Sequence, residues 1–89
     1  MIKEIIWASS FKRAFRKRIL GAPYEKEFRK KTEIFINDPF DARIKTHKLS
    51  GRLEGLWAFS IEYNCRVIFQ LLGDDKALFI DIGTHDELY

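Results

Sequence analysis

The stretch "LWAFSIEYNCRVIFQLLGDDKALFIDIG", residues 56 to 83, decides the fold. It holds three runs of strand length, LWAFSIE (56–62), RVIFQLL (66–72) and ALFIDIG (77–83), separated only by YNC and GDDK. Connections this short permit hairpins but no crossover, so the three runs predict an antiparallel meander. Side chains alternate across a strand, which sorts each run into two faces. Trp57, Phe59 and Ile61, with Val67, Phe69 and Leu71 and with Leu78, Ile80 and Ile82, form the expected core face. The other parity gives Ala58, Ser60 and Glu62, then Arg66, Ile68 and Gln70, then Phe79 and Asp81, a face with several polar groups. Continued through Gly83, the last parity puts His85 on the side of Arg66.

Upstream, IKEIIWA (2–8) has the alternation and β-branching of a first strand. Ser9 or Ser10 is placed to cap a helix in which Phe11, Ala14, Phe15 and Ile19 follow helical spacing, and Gly21 ends it. The other face of that helix is Lys12, Arg13, Arg16 and Lys17. Pro23 suits the first turn of a second helix, with Glu25 and Glu27 near its positive end and Tyr24, Phe28 and Phe35 along one stripe. Asn37, Asp38 and Pro39 stop it. Residues 40 to 55 have weak periodicity and a turn signal at 49–52, so an irregular or briefly helical approach to the sheet is expected. The predicted architecture is α+β, in the order β-α-α-β-β-β, with an antiparallel meander packed on two N-terminal helices in a single domain spanning residues 1–89.

With 89 residues, including eight Phe and two Trp, the chain has enough apolar mass for one packed core. Its single cysteine, Cys65, excludes an intrachain disulfide framework. The first apolar run is too short for a secretory h-region, and no stretch approaches the roughly 20 residues that span a bilayer. A cytoplasmic protein with no membrane partner is the expectation. The net charge of +3 conceals an asymmetry. Residues 1–52 hold 14 Lys/Arg against 6 Asp/Glu, or +8, whereas residues 53–89 hold 2 against 7, or −5. A basic first half fits either a solvated helix face or a polyanion-binding surface.

Arg66 is either a rim arginine paired with Glu62 across the hairpin or a fixed guanidinium able to grip a phosphate through two donors. His85 and His47 are either surface histidines or groups that exchange protons near neutral pH. Tyr89 can plug an apolar gap or stack on a base. Two histidines 38 positions apart and one cysteine do not make a zinc pattern, and no Walker loop, GxGxxG or GxSxG occurs. Acid-base chemistry on a phosphodiester without metal or cofactor, or simple binding, remains.

Residues 45–89 resemble the RelE/ParE superfamily of toxin-antitoxin toxins, particularly its YafQ-like and RelE-like ribosome-dependent endoribonucleases. The likeness rests on HKLSG (47–51), CRVIF (65–69) and GTHDELY (83–89). The resemblance implies metal-independent cleavage of mRNA in the ribosomal A site by attack of a ribose 2′-OH on the adjacent phosphate. It implies that Arg66 stabilises the transition state, His85 is the general acid, His47 the general base or its orienter, and Tyr89 positions the base or ribose. The family's strand histidine and hairpin acid-Trp pair fall at Ser60, Asn64 and Cys65, which leaves Glu54 and Glu62 as substitute bases. It further implies a cognate antitoxin in a hetero-oligomeric complex. Ribosomal RNA contacts are expected from Lys12, Arg13, Arg16, Lys17, Lys26, Arg29, Lys30, Lys31, Lys45, Lys48 and Arg52. ParE-like members share the scaffold but poison DNA gyrase, which is the alternative activity.

Overall fold

The computed structural model describes residues 1–89 and has β1 at Glu4–Trp7, α1 at Ser9–Arg18 and α2 at Tyr24–Asn37. These are followed by β2 at His47–Lys48, β3 at Trp57–Glu62, β4 at Cys65–Leu71, β5 at Lys76–Gly83 and α3 at His85–Leu88. Short 3-10 turns at Ala42–Ile44 and Gly51–Leu53 bracket β2, matching the expected irregular approach. All five strands join one sheet in the order β1-β5-β4-β3-β2.

The α+β class and the three-strand meander are as the sequence predicts; the sheet as a whole is mixed. β1 pairs in parallel with β5, with Glu4 opposite Lys76 and Trp7 opposite Phe79, while β2 through β5 are antiparallel. The order is extended by the two-residue β2 and by the C-terminal helix α3. Parallel pairing at one edge makes β5 the second strand of the sheet, flanked on both sides, and α1 packs on it.

One face assignment changes. β5 carries a bulge: Asp81 pairs with Ile68, but the next register partners are Phe79 and Phe69, so Ile80 is the extra residue. The bulge reverses the parity of the first half of β5. Ala77 and Phe79 enter the core, fully buried, while Leu78 and Ile80, expected there, are only half-buried. Ile82 remains in the core, because it lies beyond the bulge. Ser10 Oγ donates to the Ile80 carbonyl at 2.6 Å, satisfying an acceptor at the irregular position. Neither Ser9 nor Ser10 therefore caps α1; Ala8 occupies that position and makes no side-chain cap.

The core is aromatic. Phe11, Phe35, Phe59, Phe69 and Phe79 are fully buried. Phe35 of α2 sits with its ring centroid 4.8 Å from both Phe59 and Phe69 and 5.4 Å from Phe79, joining the helix to three strands. Phe11 and Phe15 of α1 meet Trp7 of β1 at 4.7 and 5.0 Å. Burying each such ring contributes roughly 1.5–3 kcal/mol, and edge and offset ring pairs add to it.

Candidate active site

Arg66 is the second residue of β4 and lies between Ser60 of β3 and Gly83 of β5. Strands on both sides hold its backbone in place. Its side chain is half-buried, and its Nε is fully buried with no hydrogen-bond partner. The expected alternative, an ion pair with Glu62, does not form; Arg66 pairs with no carboxylate. A buried donor left unpaired costs about 1–3 kcal/mol, and with no carboxylate on it the guanidinium keeps its charge for an anion.

His47 stands on the edge strand β2, opposite Ala58. Its Nδ1 is 3.0 Å from the Lys45 carbonyl. A carbonyl only accepts, so Nδ1 donates in this contact, which leaves Nε2 as the ring nitrogen able to take up a proton. Lys45 adopts a left-handed conformation, φ 52°, which turns its carbonyl into that contact. His85 opens α3, and its ring centroid lies 4.8 Å from that of Tyr89, four positions on and hence on the same helix face.

These four side chains surround one open cleft of about 440 Å³, completed by Lys48, Leu49 and Ser50. A second cleft of about 420 Å³ shares Arg66 and His85 and is lined besides by Lys31, Arg43, Lys45, Ser60, Glu62, Tyr63 and Asn64. Arg66 and His85 thus border both. Glu62 faces the second cleft, whereas Glu54, in the turn before β3, lines neither. The arrangement brings a guanidinium, two imidazoles and an exposed aromatic ring around one opening, which suits binding and proton transfer at a phosphodiester.

The basic residues divide into three groups. Lys31 is fixed at the wall of the second cleft, donating to the Ile61 carbonyl at 3.0 Å and to Glu27 at 3.3 Å, and Lys45 lies near it. Lys48 sits 5.5 Å over the Trp57 ring, and Arg52 lines a neighbouring hollow with Tyr89. Lys12, Arg13, Arg16 and Lys17 are exposed on α1, and Lys26, Arg29 and Lys30 on α2, apart from both clefts. Arg29 is paired with Glu25 at 2.8 Å.

Cys65, beside Arg66, points into the core. Burial, reinforced by Glu87 and Glu62, pushes its thiol up to about 11, so it is inert as a nucleophile at neutral pH. No group of three or more His, Cys, Asp or Glu is placed to hold a metal ion. Arg43 and Tyr63 also line the second cleft, where the sequence pattern did not place them. Arg43 is held by Asp41 through two contacts of 3.0 and 2.9 Å, which bring the Asp41 carboxyl down to about 2. Tyr63 is 90% exposed at the β3–β4 turn, where an unburied aromatic ring beside basic groups was itself a readable signal.

No protein-family model and no curated protein sequence matches the chain. Solved structures do match it in shape. YafQ from E. coli superimposes with a TM-score of 0.81 at 21% identity over 96% of each chain. In the E. coli DinJ-YafQ toxin-antitoxin complex the values are 0.80 and 20%, over 100% of this chain and 99% of that one. A metal-bound toxin from Helicobacter pylori gives 0.78 at 16% over the whole of both chains. A YoeB/ParE toxin from Agrobacterium tumefaciens gives 0.72 at 16%, over 92% of this chain and 98% of that one. The chain shares the fold of these proteins.

Proposed function

We propose that the protein is the toxin of a toxin-antitoxin pair and acts as an endoribonuclease on mRNA in the ribosomal A site. The observation that carries this reading is the unpaired Arg66 guanidinium on the shared border of two clefts, with His47 and His85 at the same opening. In the reaction, His47 Nε2 removes the proton of a ribose 2′-OH, which attacks the adjacent phosphorus. Arg66 neutralises the charge that builds on the phosphate oxygens. His85 gives its proton to the departing 5′-oxygen, leaving a 2′,3′-cyclic phosphate and a free 5′-hydroxyl. Tyr89, packed against His85, orients the neighbouring base or ribose. Each proton is accounted for by the two imidazoles, so the step calls on no metal or cofactor.

Glu62, on the wall of the second cleft, is placed to substitute as base, and Glu54 would have to reach the cleft from outside it. The exposed cations of α1 and α2 supply salt-sensitive attraction to ribosomal RNA. The fold likeness to DinJ-bound YafQ supports a cognate antitoxin as the second partner. No helix of the protein is long and apolar enough to cross a membrane, which fits action in the cytoplasm.

The test is expression of the wild type and His85→Ala in growing cells, with mapping of mRNA 5′ ends on translated messages. Codon-phased cuts that vanish in the variant are expected. Intact messages together with trapped gyrase-DNA complexes would replace this reading with the ParE-like one.

A further inference from the structure

A helix of four residues does not hold itself together in water, yet α3 opens on His85 and is capped by Tyr89. What fixes it lies on its other side. Glu87, two positions from each ring, faces away from them, and its two oxygens have separate tasks. Oε1 accepts from the Thr84 backbone N–H at 2.7 Å, closing a capping box, and Oε2 lies 3.5 Å from Arg18 Nε. The same guanidinium reaches the end of β5 through Nη1, which donates to the Ile82 carbonyl at 2.9 Å and to Asp81 Oδ1 at 3.3 Å. One side chain from the last turn of α1 therefore joins the β5 bulge, the strand end and the tail helix.

Gly83 makes room for this junction. A Cβ there would fall 2.8 Å from both Arg18 Nη1 and Glu87 Oε1, so a larger residue would push these two side-chain ends aside. The side chains of Arg18, Asp81 and Glu87 are 25%, 32% and 39% exposed, a partly shielded setting in which charge pairing persists. The Thr84 contact, with Arg18 a smaller contributor, holds the Glu87 carboxyl below its ordinary range.

We propose that Arg18 is a positioning residue: by clamping Glu87 and the end of β5, it fixes the tail helix so that His85 and Tyr89 face Arg66. The role of the two rings rests on the nuclease reading above; the clamp itself does not. Arg18 touches neither cleft beside Arg66, so its effect on cleavage has to pass through the tail.

The experiment uses the full chain and two variants, Arg18→Met, which keeps the bulk of the side chain, and Glu87→Gln, which keeps the acceptor for Thr84. Amide hydrogen exchange at Leu88 and Tyr89, whose N–H groups bond Thr84 and His85, is expected to accelerate at least about tenfold in Arg18→Met and less in Glu87→Gln, with β4 amides unchanged. Unchanged exchange at 88 and 89 in Arg18→Met overturns the clamp, as does loss of protection throughout the sheet. In ribosome-programmed mRNA cleavage, Arg18→Met should lower kcat by about 10²-fold, the scale of a small misplacement of a reacting group, and should add nothing further in a His85→Ala, Tyr89→Ala background. An equal loss in that background overturns the positioning role. If the wild type cuts no message, the nuclease reading fails and amide exchange still decides the clamp.

Discussion

The helix-covered core and the Arg66 clefts occupy one small sheet and obey opposite rules. Beneath α1 and α2, five phenylalanines are fully buried and no charged or polar residue is. At the clefts, a guanidinium nitrogen is buried without a partner, and His47, His85 and Tyr89 stay exposed although they are the groups best able to react. The difference separates what holds the chain folded from what it can do. Residues in the first region can be tested by stability alone, and those in the second by function with stability nearly untouched.

The largest effect is expected at Phe35, the ring that touches three strands. Phe35→Ala should cost about 3–5 kcal/mol, a large share of the 5–15 kcal/mol that typically stabilises a domain, read as a collapsed urea midpoint. A shift below about 1 kcal/mol would mean that the aromatic cluster is not the structural centre. Arg66→Met should do the reverse. Cleavage falls about 10²–10³-fold, while the urea midpoint stays the same or rises, because an unpaired buried donor is removed. Lost cooperativity in Arg66→Met would erase the contrast between the two regions.

The smallest effect belongs to acid. The Glu87 carboxyl is held below its ordinary value of 4.5 by the Thr84 N–H first and Arg18 after it. A carboxyl depressed by folding contributes stability that is present above its unfolded value and is lost as pH falls through the lowered one. Protection of the Leu88 amide, corrected for intrinsic exchange, should therefore decline below about pH 4.5 before the sheet amides respond. Simultaneous loss at Phe69 would show that the tail does not loosen independently.

What the sequence disclosed follows from how local each feature is. The three strand runs and the apolar spacing of Phe11, Ala14, Phe15 and Ile19 depend on nearby residues and were readable. The β5 bulge was not, because ALFIDI is apolar on both parities up to Asp81 and either phase of burial looks equally good. The parallel union of β1 with β5 has no local mark at all. α3 did have one, since Thr84 and Glu87 have the spacing of a capping box. Arg18 also had one: it falls seven positions after Phe11, on the apolar side of α1, where a charge needs a reason. The placement of Arg66, His47 and His85 at one opening required the strand order, since three segments far apart in sequence supply them.

The pairing of Glu4 with Lys76 has a consequence in time. β1 has no strand but β5 to lie beside, and α1 packs chiefly on that same late strand. During synthesis β1 therefore waits for its strand partner until β5, about seventy residues further along, has been added. Until β5 is made, the sheet lacks both its parallel edge and the strand on which α1 chiefly packs.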